Sequence, residues 1–314
     1  MITQEDVFAF FDNNAAIKVS AIEKEADIPA STISKAREGV RELNQRHLMA
    51  LLPVLKRYGF REGLYDQARI ISVINHKGGV AKTTTVINIG KALALLGKRV
   101  LMVDMDPQGN LSQIMGMGAP EAQVVHALLK NVPLPVFHID ENLSLAPSDL
   151  DLAYADLELV QMMGGYNRLK SALHPVRRNF DYVLIDCPPA LNIFTNSALV
   201  ASNGCLITLQ PEVSAIKGLN NLFERITQVQ NQINYELKVE GVLFTLVDKR
   251  LKLHQDMMSE LKKELNGIKI FDAFIRMNVA IKESQLAQQD IFTYDPLSNG
   301  ANDYMAVAKE ICHK

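Results

Sequence analysis

Cysteine is scarce in this chain: Cys187, Cys205 and Cys312 are the only three in 314 residues. They form no CxxC pair and no plausible disulfide framework, which fits a reducing cytoplasm and removes paired-thiolate electron-transfer chemistry. An excess of one charge is missing too. Lys and Arg total 33 against 35 Asp and Glu, a net charge of −2. Global electrostatics therefore do not mark a nucleic-acid binder, and any DNA contact must come from local patches. No uninterrupted apolar run approaches the ~20 residues of a membrane span. Gln4, Glu5 and Asp6 lie too close to Met1 for a signal peptide. Internal repeats and low-complexity tracts are absent. The expectation is a soluble, intracellular, globular protein with length for about two domains.

What is present centres on His76-Lys77-Gly78-Gly79-Val80-Ala81-Lys82-Thr83-Thr84. An apolar run, residues 70–74, precedes it and reads as a buried strand. Residues 86–96 follow and read as a helix closed by Gly97. Strand, Gly-rich turn, Lys-Thr and helix form the layout of a phosphate-binding loop. Small residues let backbone N–H groups converge on phosphate oxygens at a helix N-terminus. Lys82 is placed for the β- and γ-phosphates, and Thr83 offers a hydroxyl to Mg²⁺. The bland alternative is a surface turn with two solvated lysines.

The usual G-x-x-x-x-G-K-S/T pattern is not met, because Asn75 and Ala81 stand where its glycines belong. A second lysine, Lys77, opens the turn instead. The stretch resembles the deviant Walker A motif, K-G-G-x-G-K-T-T, of the ParA/MinD family of ATPases. That resemblance implies an ATP/ADP site spanning Lys77, Gly78, Gly79, Val80, Ala81, Lys82, Thr83 and Thr84. It also implies a homodimer in which Lys77 reaches the partner's nucleotide. A cation supplied in trans stabilises the charge spread in phosphoryl transfer. Ala81 is a departure: its Cβ strains the loop if the position needs φ > 0.

Two further segments carry the resemblance. Residues 99–104 read as a buried strand ending in Asp104-Met105-Asp106-Pro107-Gln108-Gly109-Asn110, which is similar to the family's Walker A′ motif residue for residue. Carboxylates at i and i+2 on a strand end point the same way, so both are expected to face the nucleotide. The resemblance gives Asp106 the attacking water and Asp104 a share in holding Mg²⁺. Residues 181–186 form another strand, and Asp186-Cys187-Pro188-Pro189 matches the family's Walker B pattern, D-x-P-P. Asp186 would bind Mg²⁺ through water. Cys187 reads as a small buried residue. The alternative for Asp104 and Asp106 is a carboxylate turn that caps the next helix.

The remaining segments 143–148, 205–211 and 241–248 read as strands, and 268–271 as a late, edge-like one. Their alternation with helices indicates an α/β fold: a mostly parallel sheet covered by helices on both faces. The helix from Asp149 through Met163 carries Leu150, Leu152, Ala153, Leu157 and Val160, whose expected role is core packing.

Residues 1–68 read as a separate all-α module, and 69–314 as the ATPase domain. Thr3 caps a first helix. Residues 19–26 and 30–38 make two short helices around the turn Asp27-Ile28-Pro29. Apolar residues at Ile22, Ala26, Ile28, Ile33 and Ala36 match the buried positions of a helix-turn-helix. The second helix would then expose Ser31, Thr32, Ser34, Lys35 and Arg37, residue types that reach phosphates and base edges. The segment resembles the helix-turn-helix of bacterial repressors, departing at Glu23, where a small residue is usual, and at Asp27, where Gly is common. A small bundle used for dimerisation is the alternative. Asn44 caps a further helix that Pro53 should kink or break. Arg41, Arg46, Lys56, Arg57 and Arg61 are either phosphate contacts or a solvated face.

Cations cluster again in residues 247–253, where the family places an Arg for sequence-independent DNA binding; Arg250 is the candidate, against a solvated helix start. Residues 274–284 resemble the family's I-P-R-N-V-R-L-S-E-A, with Asn278, Val279 and Glu283 matching and Met277 and Ala280 replacing its arginines. The last helix carries no Lys/Arg-rich face for membrane targeting. Together the resemblance implies a cytoplasmic, nucleoid-associated DNA partition ATPase. Its hydrolysis would be stimulated by a ParB-like partner, with operator binding added by the N-terminal module. The alternatives are a nucleotide-sensing transcriptional repressor and a MinD-like positioning ATPase.

Overall fold

A computed structural model describes residues 2–60, 68–130, 132–212, 215–265 and 267–312. The chain separates into two compact units, Met1–Gln67 and Ala68–Lys314. Arg61 lies outside the described residues.

Among its described residues the first unit has four helices: α1 Gln4–Asn13, α2 Val19–Glu25, α3 Thr32–Arg37 and α4 Gln45–Arg57. Each forms for a local reason. Thr3 and Asp6 close a capping box on α1, and Asn44 caps α4. Helix α4 runs through Pro53 without the expected break. Val7, Phe10, Ile22, Ile33, Leu51 and Leu55 are fully buried and make one core.

The turn between α2 and α3 shows how its two unusual residues are used. Asp27 takes φ 51°, the left-handed region that Gly favours there. Glu23 is buried, and its carboxylate accepts N–H bonds from Ser31 (2.9 Å) and Ile33 (2.8 Å). It therefore caps α3 from the preceding helix, because Ser31 sits at φ 61° and makes no side-chain cap. Helix α3 starts at Thr32, later than expected. Thr32 is also not exposed as expected: its hydroxyl donates to the Pro29 carbonyl at 2.6 Å inside the unit. Ser31, Ser34, Lys35 and Arg37 remain on the surface. Arg37 pairs with Asp12 and lies over the Phe8 ring.

The second unit is built on a seven-stranded sheet in the order β3-β4-β2-β5-β1-β6-β7. The strands are β1 Arg69–Ile74, β2 Val100–Asp104, β3 Phe137–Asp140, β4 Leu143–Ala146, β5 Tyr182–Asp186, β6 Gly204–Leu209 and β7 Lys238–Phe244. All neighbours pair parallel except β3, an antiparallel edge strand. Strand β3 went unread in the sequence. Strand β7 begins and ends earlier than expected; beyond it Leu246 takes φ 54°, which an extended strand does not allow. Residues 268–271 are not a strand: only Ile270 bridges, to Val242.

Helices cover both faces. Helices α5 Lys82–Leu95, α6 Asn110–Ile114, α13 Val279–Leu286, α14 Ile291–Tyr294 and α15 Asn299–Cys312 join one core. Helices α7 Val124–Lys130, α8 Asp151–Gln161, α9 Arg168–Leu173, α10 Ile193–Ala201, α11 Ala215–Gln232 and α12 Lys252–Glu264 join the other. The central strands feed both cores by alternation: Ile70 and Ile74 go to one, Ile71 and Val73 to the other. Helix α8 overturns an expectation. It buries Leu152, Ala155 and Leu159, while Leu150, Ala153, Leu157 and Val160 face solvent. Among the described residues, no helix is long and apolar enough to cross a membrane.

Glu23→Ala should strip the two α3 amides of their acceptor and cost about 2 kcal/mol. The check is hydrogen exchange on the full chain: amides of α2 and α3 should exchange faster while those of β1 to β7 keep their protection.

Candidate functional site

Strands β2, β5 and β1 lie side by side, and their carboxyl ends carry Asp104, Asp186 and the Gly-rich loop. Parallel pairing sets Asp104 opposite Asp186. This is where a parallel sheet holds ligands.

The loop is held from several sides. Asn75 accepts from the Lys77 N–H at 2.9 Å and donates to the Thr208 carbonyl on β6 at 2.6 Å. It thus braces the turn where the usual motif has Gly. The Thr245 hydroxyl donates to the Val80 carbonyl at 3.1 Å, and Val80 is buried beneath the loop. Ala81 is the N-cap of α5 at φ 62°, ψ 32°. The strain anticipated for a Cβ here is thus built in, since the left-handed region costs a non-Gly residue about 1–2 kcal/mol. Gly78, Gly79, Ala81, Lys82, Thr83, Thr84 and Asp106 line a cavity of about 670 Å³. Its opposite wall is Ile275, Arg276, Met277, Asn278, Ile281 and Tyr304.

Lys82 is buried at the cavity base, and its ammonium donates to the Lys77 carbonyl at 2.9 Å. Burial pulls its pKa below the usual lysine value, opposed by the charge of Asp186. The Thr83 hydroxyl donates to Asp186 Oδ2 at 2.7 Å. Asp186 is fully buried, and its Oδ1 has no hydrogen-bond partner. Burial, then the charge of Asp104, pushes its pKa well above the usual carboxylate range. A buried carboxylate oxygen without a partner, next to a hydroxyl and an open cavity, fits a hydrated divalent cation. Thr83 and Asp186 are the residues that would hold Mg²⁺, which would supply positive charge beside the phosphates.

The two A′ carboxylates part company. Asp106 lines the cavity, its Oδ1 accepting from the Gln108 N–H at 3.0 Å. Asp104 does not face the cavity as expected. Its oxygens accept from the Asp106 N–H (3.1 Å), the Ser112 N–H (2.9 Å) and the Ser112 hydroxyl (2.7 Å). The chain leaves the strand after Asp104, so strand alternation no longer applies. Asp104 holds the loop that presents Asp106. Burial raises its pKa to about 7.

Lys77 lies outside the cavity wall and forms an ion pair with Glu212, just beyond β6. Next to it, the His76 ring packs so tightly on Gly218 of α11 that any Cβ there would overlap it. Glu212, Ser112 and Gln285, which donates to Thr84 Oγ1 at 2.7 Å, were missed in the sequence. Only Glu212 had a signal, an acid at the end of a buried run. Cys187 is buried with its thiol pKa pushed up by burial, which suits packing rather than nucleophilic chemistry.

Of the cations considered for DNA, Arg250 lies outside the cavity lining and Arg276 is part of it. Arg250 is largely exposed, and its guanidinium forks onto Asp248 at 2.8 and 3.0 Å. Arg276 is bound to Asp303, with Nε 2.9 Å from Oδ2.

A doubly covered parallel sheet, a loop-to-helix phosphate cradle and a buried acid at a neighbouring strand end define a P-loop nucleotide-binding protein. A family model described as an AAA domain matches residues 68–239. The chain is 40% identical over 250 residues to the sporulation initiation inhibitor protein Soj of Bacillus subtilis, covering 77% of this chain and 98% of Soj. It is 37% identical over 257 residues to the chromosome partitioning protein ParA of Caulobacter vibrioides, covering 77% and 93%. Cobyrinic acid a,c-diamide synthase from Mycobacterium smegmatis, solved with ADP and magnesium, superposes with TM-score 0.69 at 33% identity, covering 78% of this chain and 94% of that one. The septum site-determining protein MinD of Pyrococcus horikoshii, at 24% identity and TM-score 0.66, shares the fold. This chain belongs to the AAA-domain family, and within it to the ParA/MinD type of P-loop ATPase.

Two outcomes follow from the site. Ala81→Gly should relieve the left-handed strain and stabilise the chain by about 0.5–1 kcal/mol after the entropy of Gly is subtracted; thermal denaturation reads it, and a loss of stability would contradict the strain. The second concerns pH. Asp104 and Asp186 have folded pKa values raised above the unfolded ~3.9, so the folded form binds protons more tightly. Their contribution is present below the unfolded value and is lost as pH rises toward the folded one, about 7 for Asp104. Without magnesium, the melting temperature should fall as pH rises from about 4 to about 7, and Mg²⁺ with nucleotide should flatten that fall.

Proposed function

We propose that this chain is an ATP-dependent DNA partition protein. ATP occupies the cavity, with Lys82 and the loop amides on its phosphates and the far wall around Ile275–Asn278 on its base. Bound Mg²⁺ would supply positive charge that stabilises phosphoryl transfer. Thr83 and Asp186 hold that ion. Asp106 orients the attacking water and is itself held by Asp104 through the loop backbone. Lys77 leaves Glu212 and contacts the triphosphate of a second copy, so hydrolysis and dimerisation share one residue.

The dimer binds DNA without sequence preference through exposed cations that include Arg250, doubled in number by pairing. A ParB-like centromere-binding partner stimulates slow hydrolysis, and the dimer then leaves DNA. Nucleotide binding is thereby converted into a population shift between states. The N-terminal unit adds operator recognition through Ser31, Ser34, Lys35 and Arg37, and with it repression of the protein's own operon. Its place of action is the nucleoid.

The observation that carries this reading is Lys77 at the head of a loop whose Lys82 and Thr83 already serve the chain's own nucleotide site. A local P-loop has no use for a second lysine there. The relatives named for chromosome partitioning support it at 37% identity.

Lys82→Ala should abolish ATP binding. Lys77→Ala should keep ATP binding and lower hydrolysis by about 10²-fold or more. Equilibrium nucleotide binding and phosphate release check both, and normal hydrolysis by Lys77→Ala would exclude the trans role. A nucleotide-sensing repressor would instead bind one DNA sequence tightly and show no ATP-dependent binding to random DNA.

A further inference from the structure

Helix α8 presents an apolar stripe that nothing described in its own unit covers. Leu150, Tyr154 and Leu157 are 61%, 83% and 68% exposed, and Val160 continues the row at 55%. They recur at helical spacing opposite the buried Leu152, Ala155 and Leu159, so α8 is apolar on two faces. Carboxylates flank the stripe: Asp151 and Glu158 on one side, Asp156 on the other. No Lys or Arg occurs between Lys130 and Arg168, and Arg168 touches only the far end of the helix, its Nε 2.9 Å from the Met162 sulfur just beyond the stripe. An exposed apolar row rimmed by one charge marks an interaction site.

The charge chooses the occupant. An acidic rim repels DNA phosphates and anionic lipid headgroups alike. It opposes a copy of itself across a two-fold axis, where the same carboxylates would meet. A helix with apolar residues on one face and Lys or Arg beside them satisfies both the stripe and the rim.

We propose that α8 is the docking surface for a cationic amphipathic helix of a partner protein. The inference rests on the partition reading only for the partner's effect, and that effect has a route in the structure. The residues before α8 touch the loop that carries Asp106. The Ser148 hydroxyl donates to the Asp106 carbonyl at 3.0 Å, and the Ser148 N–H to the Ser112 hydroxyl at 2.9 Å. Gly109, at φ 61°, lies so close that a Cβ would come within 2.8 Å of the Ser148 carbonyl oxygen. A helix seated on α8 therefore bears on the element that positions the hydrolytic water.

The test uses the full chain and a fluorescent synthetic peptide with leucine on one helical face and lysine on the other, followed by anisotropy. The wild type should bind it, more weakly as salt rises, and should ignore a leucine–glutamate peptide of the same pattern. The double variant Tyr154→Ser, Leu157→Ser should bind about tenfold more weakly or worse. Both positions are exposed, so its melting temperature and peptide-free ATP turnover should match the wild type. Turnover without peptide reports on the partition ATPase; peptide affinity reports on α8. Equal binding by the variant, or equal binding of the leucine–glutamate peptide, would overturn the proposal. So would sedimentation showing a wild-type self-association that the double variant lacks, since a second copy would then own the face.

Discussion

Asp186 sets the terms for the whole second unit. It is a fully buried carboxylate with one oxygen on Thr83 and the other on nothing. Leaving such a group uncompensated costs several kcal/mol. The fold places compensation around it: Lys82 from the neighbouring loop, Thr83 beside it and an open cavity from which a cation can arrive. A site that is dissatisfied when empty is one that gains by binding. Ligand binding and stability are then the same quantity seen from two sides.

The sheet order makes this arrangement. Strand β5 lies between β2 and β1, so three strand ends deliver the buried acid, the A′ loop and the phosphate loop to one place. Each loop is then pinned by a group outside itself: Asn75 on β6, Asp104 on α6, Gln285 of α13 on Thr84. Such bracing lets the chain carry a left-handed Ala81 at the mouth of α5, where a glycine would carry no steric strain. The conformation belongs to the surroundings as much as to the residue.

Much of this was legible in the sequence because the strands are apolar runs that end abruptly in acids or glycines. The runs ending at Ile74, Asp104 and Asp186 are buried on both sides, and burial on both sides leaves a continuous apolar signature. What stayed hidden depends on which neighbour a side chain meets. The spacing of Asp104 and Asp106 suggested a pair facing one ligand, but Ser112 claims Asp104. Glu23 looked like a misfit in a small-residue position, yet it caps the helix ten residues on. Thr32 resembled a surface hydroxyl, but it is buried and donates a hydrogen bond to the Pro29 carbonyl. On α8 a two-sided apolar pattern does not tell which side is the core. Edge strand β3 alternates half-buried and exposed residues over only four positions, too short a pattern to stand out.

The account turns on Lys77 acting for a second copy. Sedimentation velocity of the wild type and of Lys77→Ala, each with magnesium and either ADP or a non-hydrolysable ATP analogue, tests this most directly. The account predicts a larger species for the wild type with the triphosphate analogue alone, and none for Lys77→Ala. A single species that does not change with nucleotide, or a dimer that Lys77→Ala forms as readily, would contradict it.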